Sequence, residues 1–432
     1  MEWSIALLLI FGSLVILIIS GMPIAFGFLV LNFIWMYFFF GDTGLQLVVL
    51  SSFASVTSFS LLPIPLFMLM GEVMFQSGLI PLMLSTMDKW LGRLPGRLAL
   101  LAVSGGTLFS TLTGSSTSSV AMLGSSLVPE LEKRGYKKPM SLGPILGSGG
   151  LAMMIPPSGL AVFVAFIGGF SVGSFLMAII LPGLLMAFNY ATYIITRCKL
   201  QPDLAPTYEV SPSPISEKLI DAAHYILPVG FIIFMVLGLI FLGIATPTEA
   251  AATGALSSFI LAASFKRLNW NMLKKTLYKT FQTVGMLLII ILGARGFAEI
   301  LTASGASIGL IEFSLSLPIA PILIVMITQV VVLILGMFVG VGAIIMICLP
   351  IFMPIISAFG FNPLWFGVLF LINIEIATTS PPFGMSLFVM KGVAPPGTTF
   401  GDTARAALPF IYCDLVAMAL IMIFPEITLW LP

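Results

Sequence analysis

The chain has 432 residues, 59% of them hydrophobic and only 8% charged, with a formal net charge of +1. A soluble domain carries about 25% charged residues, so the composition excludes a water-soluble globular protein. The near-neutral balance also leaves no electrostatic footprint for nucleic acid. An all-α polytopic membrane protein is the expectation.

In chain order, residues 4–20 and 22–40 read as the first two spans. The N-terminal segment lacks a basic leader and a small-residue cleavage site, so it is expected to be a retained span rather than a signal peptide. Residues 43–59 read as interfacial and 61–87 as a crossing. Loops carrying Lys89, Arg93 and Arg97, and then Lys133, Arg134, Lys137 and Lys138, belong on the cytoplasmic side, which favours basic residues. Residues 98–129 between them are too few for two crossings of about 20 residues each plus a turn. That segment is expected to enter and leave by one face as a re-entrant hairpin, with the Gly-, Ser- and Thr-rich tract 104–119 as its non-helical tip. A Pro-Pro-broken helix at 140–168 and a span at 176–196 follow. A Pro- and Ser-rich linker, 199–224, then leads to spans at 226–244 and 250–265. Beyond these come a basic amphipathic stretch at 266–280, a span at 281–302, an outer hairpin at 319–353, a second broken helix at 363–390 and a last span at 406–430. Parity places both termini outside.

The prolines reveal a repeat. Pro156, Pro157 and Gly159 recur 225 residues later as Pro381, Pro382 and Gly384, and the same shift carries Pro129 onto Pro354. Pro23 matches Pro247 at a shift of 224, and Pro182 matches Pro409 at 227. The division is therefore a first repeat at 1–198, the cytoplasmic linker, and a second repeat at 225–432. The first repeat's two basic loops map onto 314–322 and 358–363, which hold no Lys or Arg. Corresponding loops then lie on opposite faces, and inverted repeats are a signature of secondary transporters.

Irregular backbone at membrane depth is tolerated only where protein buries it or a watery cavity meets it. A broken helix offers free carbonyls at one half-helix end and free N–H groups at the other. The former suit a cation and the latter an anion. Neutral oxygens are available at the first hairpin tip, in Ser115, Ser116 and Thr117, and beside the second break, in Thr378, Thr379 and Ser380. Two sodium sites are expected. The first joins Gly114, Ser115 and Ser116 to Gly150 and Pro156; the second joins Gly340 and Gly342 to Ala377, Ser380 and Phe383.

The stretches "SFSLLPIPLFMLMGEVM" (58–74), "LTGSSTSSVAMLGSSLVPELEKRGY" (112–136), "MMIPPSG" (153–159) and "TTSPPFG" (378–384) resemble, in that order, the large membrane subunit of TRAP (tripartite ATP-independent periplasmic) transporters. The resemblance covers essentially the whole chain. It implies an elevator-type, sodium-driven importer of organic acid anions in the bacterial inner membrane. It also implies two partners, a small four-helix membrane subunit on a separate chain and a periplasmic substrate-binding protein. Ser116, Thr117, Ser158 and Thr379 become the candidate substrate contacts. Two positions depart from the family pattern, Ser380 where Thr is common and Ala377 where Gly is common.

A stand-alone sodium–carboxylate symporter of the same topology is the alternative. A sodium–proton antiporter would call for membrane-buried aspartates near the breaks, where Glu375 is the only acidic group. There is no GxxxxGK[ST] stretch for nucleotide hydrolysis and no catalytic dyad, so an enzyme is not expected. No cofactor is implied beyond sodium as coupling ion. Cys198, Cys348 and Cys413 read as inert core residues. Arg295 and Glu299, four apart on one helix, are expected to pair. His224 is expected at the surface, at the end of the linker.

Overall fold

The computed structural model describes residues 2–92, 94–113, 116–206 and 214–432, and these are helical with no strand among them. The N-terminal part builds α1 (Trp3–Ile19), α2 (Ile24–Phe40), α3 (Asp42–Val56), α4 (Pro63–Gln76), α5 (Ile80–Leu91), α6 (Arg97–Thr113) and α7 (Ser116–Lys133). Then come α8 (Lys138–Met154), α9 (Gly159–Gly168), α10 (Val172–Ala178), α11 (Ile180–Leu200) and α12 (Ile215–Asp221). The remainder forms α13 (Leu227–Phe241), α14 (Pro247–Ser264), α15 (Trp270–Ala303), α16 (Ala306–Ser316), α17 (Pro321–Phe338) and α18 (Val341–Ala358). It ends in α19 (Pro363–Thr379), α20 (Met385–Val393), α21 (Phe400–Ile423) and α22 (Glu426–Leu429). Among the described residues, seven helical segments are long and apolar enough to cross a membrane, and the bent α8–α9 pair would make an eighth. The chain is a multi-pass membrane protein.

Sequence chemistry sets the helix ends. Proline occupies the first turn of α4, α8, α13, α14, α17 and α19, where its missing N–H costs nothing. Thr246 with Glu249 and Thr399 with Asp402 close reciprocal capping boxes on α14 and α21.

Several expected boundaries shift. Residues 61–87 are two helices, α4 and α5, broken around Gly78, whose φ of +65° a side chain would resist. The amphipathic stretch and the following span merge into the single 34-residue α15, because no Gly-Pro punctuation separates them. The linker is shorter than 199–224, since helix runs to Leu200 and resumes at Ile215. His224 is exposed as expected, but in a π-helical turn between α12 and α13, edge-on to Tyr225 and Phe265. The tract 104–119, expected as a non-helical tip, is helical at every described position, in α6 and α7. The last span begins at Phe400 and stops at Ile423.

Two packing groups emerge. In one, α15 lies against α2, α3 and α4, and α4 against α14. Small residues permit the closest approach: a Cβ on Gly293 would sit 2.7 Å from the Phe28 Cβ, and one on Gly296 would sit 2.4 Å from the Asn32 amide nitrogen. That amide donates 2.8 Å to the Gly293 carbonyl. Arg295 and Glu299 do not pair. Glu299 accepts from the Ser51 hydroxyl at 2.6 and 2.8 Å, while Arg295 points outward, exposed.

In the other group, α8 is wrapped by α6, α7, α11, α19 and α21. Every residue from Met140 to Met154 is buried, and so is every residue from Trp365 to Thr379 in α19. A helix apolar on all sides belongs in a core. Gly143 and Gly147 of α8 receive the Phe410 ring of α21. Tyr190 of α11 donates to the buried Asp414 of α21, and Asn373 of α19 donates to the Gln329 backbone carbonyl and side chain of α17. On the rim, Arg97 pairs with Asp88 at 2.7 Å. Lys89 bridges Asp221 and Glu217 of α12, and those carboxylates, Asp221 foremost, hold its amine protonated above the ordinary lysine value.

Removing the Tyr190 hydroxyl tests the second group. Tyr190→Phe leaves Asp414 buried without its donor, and the expected loss is about 1–3 kcal/mol. Thermal unfolding of the detergent-solubilised protein measures it; an unchanged midpoint would show that the bond does not hold α11 to α21.

Candidate functional site

The two Pro-Pro pairs interrupt the two most buried helices. In the first, α8 stops at Met154 and α9 starts at Gly159 with its axis turned by 50°. In the second, α19 stops at Thr379 and α20 starts at Met385. Both Pro156–Pro157 and Pro381–Pro382 peptides are cis. Proline has no N–H to return to the carbonyl four residues back, so the Ala152, Met153, Ala377 and Thr378 carbonyls lose their usual helical partners. Ser158 repairs the far side of the first break, where its hydroxyl accepts from Ala161 N–H at 3.3 Å and caps α9. At the second break, Gly384 N–H donates 2.9 Å to Ser380 O. A Cβ on Gly384 would lie 2.6 Å from that oxygen and 2.7 Å from Thr378 O, so two carbonyls converge on bare glycine.

Around the first break, four elements meet at Ser116. Its hydroxyl donates 3.2 Å to Glu375 Oε1 and lies 3.4 Å from Ser386 Oγ of α20. A Cβ on Gly149 would stand 3.3 Å from Ser116 O and 3.4 Å from its Oγ. Gly150 fits still more tightly: a Cβ there would be 2.3 Å from Glu375 Cγ and 2.5 Å from Oε1. Ser116 and Gly150 are therefore brought together, with Pro156 buried in the break beyond them. Gly114 and Ser115 lie outside the described residues. Thr117 is half-buried beside Ser116. Glu375, on the helix that leads into the second break, turns its carboxyl to Ser116 and Gly150 of the first site. It is 1% exposed, and its Oε2 has no hydrogen-bond partner.

The second break meets α17 and α18 differently from expectation. Gly336 is the residue against Ala377, its hypothetical Cβ 2.4 Å from the Ala377 Cβ, and Phe338 packs on Phe383 with ring centroids 5.4 Å apart. Gly342 instead faces Ile290 of α15, and a Cβ on Gly340 would enter open space. The hydroxyls beside this break all donate to their own helix. Ser380 reaches Ile376 O at 2.7 Å, Thr378 reaches Glu375 O at 2.9 Å, and Thr379 lies 3.1 Å from Ile376 O and 3.2 Å from Glu375 O. With their protons engaged, these oxygens present only lone pairs, which suits a cation.

Sequence reasoning missed Ser386, Gly149 and Gly336, and read Gly384 only as a mark of the repeat. Glycines crowded into "LGSGGL" (146–151) were a readable signal of close approach at the first break. Nothing local marked Ser386 as a neighbour of Ser116, 270 residues away.

Buried broken helices whose polar groups face one another inside a multi-pass helical protein define a membrane transporter. The whole-chain comparison makes the assignment specific. Residues 11–427 match the family described as "Tripartite ATP-independent periplasmic transporter, DctM component", and the chain belongs to that family. It is similar to the C4-dicarboxylate TRAP transporter large permease protein DctM of Pseudomonas aeruginosa, 31% identical over 91% of each chain. It is also similar to the isethionate TRAP transporter permease protein DctMQ of Oleidesulfovibrio alaskensis, 29% identical over 98% of this chain and 65% of that one. Among solved structures, the Alcanivorax borkumensis YdaH transporter shares the fold, with a TM-score of 0.67 over 88% of both chains at 15% identity.

Gly384 and Gly340 make a paired test. Gly384→Ala forces a methyl between two carbonyls and should cost about 1–3 kcal/mol. Gly340→Ala meets nothing and should stay within about 0.5 kcal/mol of wild type. Equal melting temperatures for the two variants would contradict the described geometry of the second break.

Proposed function

We propose that this chain is the large, translocating subunit of a sodium-coupled importer that carries an organic acid anion across the bacterial inner membrane. It works beside a small four-helix membrane subunit on a separate chain and receives its substrate from a periplasmic binding protein. Residues 1–198 and 225–432 act as inverted repeats, with both termini periplasmic. The α6–α7 and α17–α18 hairpins and the two broken helices move as a transport domain against the group built on α2, α4, α14 and α15. One sodium site uses Ser116, Gly150 and the first break, and the other uses Ala377, Ser380 and the second.

The observation that carries this reading is the meeting of Ser116, Gly149 and Gly150 at the first break, echoed by the two carbonyls that converge on Gly384 at the second. Relatives named for C4-dicarboxylates and for isethionate both handle organic anions. Half-helices α9 and α20 begin at the breaks, and helix N-termini favour anions. Ser158 caps α9 and Thr379 ends α19 at the second break; with Ser116 and Thr117 they serve as contacts for the substrate's acid group. Moving one negative charge into a cell with a negative interior costs about 2.3 kcal/mol per 100 mV. Each sodium ion that accompanies it returns a similar amount and adds its own gradient.

The test is uptake into proteoliposomes holding this chain and its small partner, under an inward sodium gradient and negative interior. Uptake that requires both sodium and the cognate binding protein is the expected result. Uptake with sodium alone would support the stand-alone symporter instead. In the same assay, Ser116→Ala and Ser380→Ala should each raise the sodium concentration for half-maximal uptake. Unchanged sodium dependence in both variants would place the ligands elsewhere.

A further inference from the structure

We propose that the Glu375 carboxylate is a direct ligand of the cation at the first site, so that both halves of the chain build this site and a charged oxygen holds its ion. The inference rests on the sodium-coupled reading above.

Four observations converge on it. Glu375 is 1% exposed and Oε2 has no partner, while Oε1 receives the Ser116 hydroxyl at 3.2 Å. A carboxylate removed from water in this way requires a compensating charge or a full set of donors. No compensating charge is supplied by the protein: among the described residues, none of the ion pairs involves Glu375. Asp414, the other buried acid of this group, accepts from Tyr190 and supplies no positive charge.

The immediate surroundings are oxygen-rich and neutral. Ser116 Oγ borders the carboxyl group, Ser386 Oγ lies 3.4 Å from that hydroxyl, and the Ser116 carbonyl lies beside Gly149. Hard cations take such mixed carboxylate, hydroxyl and carbonyl sets. No cluster of three or more His, Cys, Asp or Glu exists among the described residues, which favours a monovalent ion of single charge over a transition metal. Gly150 completes the argument. A methyl there would overlap the carboxyl group, so the bare backbone admits Glu375 to the C-terminal part of α8, which stops at the first break. The sequence spacing, with Glu375 five residues before Ser380, had pointed it at the other break.

The experiment uses the purified membrane complex and 22Na+ as probe, read by equilibrium binding and by sodium-dependent melting, with choline or K+ balancing ionic strength. Wild type should bind sodium saturably. Glu375→Gln should raise the half-saturating sodium concentration of one component at least tenfold, leaving a component that Ser380→Ala then weakens. Gly150→Ala, which displaces the carboxyl group without removing it, should reproduce the Glu375→Gln defect and serves if that variant does not fold. Wild-type sodium binding in both variants would overturn the Glu375 assignment and leave sodium coupling intact. Loss of the Ser380-dependent component together with the other would also overturn it, because Glu375 would then support the domain as a whole. Equal stabilisation of the wild type by K+ or choline would remove sodium coupling itself, and this inference with it.

Discussion

Two backbone breaks inside fully buried helices impose the constraint on which the rest of the structure depends. In lipid no water completes an unpaired carbonyl or N–H group, and each orphan costs several kcal/mol. The chain therefore encloses α8 and α19 on every side before it interrupts them. Enclosure explains the small residues at Gly143, Gly147, Gly149, Gly150 and Gly336, each of which lets a neighbouring helix, ring or carboxyl group approach to contact. It also explains the economy of the repairs, in which Ser158 caps one half-helix and glycine admits the backbone of the other. Carbonyls left over from these repairs are the polar surface from which a transport site can be made.

Much of this was legible in the residues. Paired prolines at a constant offset marked both breaks, and each lies where the helices stop. The Gly-Ser-Thr tract marked the first hairpin, although its helices run up to the described edges of the tip because Ser and Thr donate to their own helix carbonyls there, as Ser104 and Thr107 do. What was not legible depends on side-chain direction across hundreds of residues. Glu375 sits near the second break in sequence, yet a helix sends successive side chains to different faces, and this one faces α8. In the same way Glu299 prefers Ser51 on α3 to Arg295 on its own helix. Local spacing states which pairs are possible; tertiary packing selects among them.

The two packing groups differ in kind from the contact between them. The group around α8 and α19 is sealed by buried polar pairs, Tyr190 with Asp414 and Asn373 with Gln329, which fix relative position as hydrophobic contact alone does not. The contacts from α15 to α18 are by contrast smooth and apolar, with Gly342 against Ile290 and Gly293 near the Met346 methyl. Smooth surfaces without hydrogen bonds can slide past one another at low cost, whereas a cross-bonded core moves as a body. That division agrees with a domain carried whole along a fixed wall.

The length of α15 has a further consequence. Its 34 residues extend about 51 Å at 1.5 Å per residue, against a hydrocarbon core of about 30 Å. The excess lies at the end bearing Lys274, Lys275 and Lys279, which anchors it among headgroups while the apolar remainder spans. A rod anchored at one end answers a change in bilayer thickness by tilting. Ile290 and Gly293 lie where α15 touches α18, so tilt alters the surface that α15 presents to that helix. Lipid chain length thereby acts as a mechanical variable on the packing of α15 against α18.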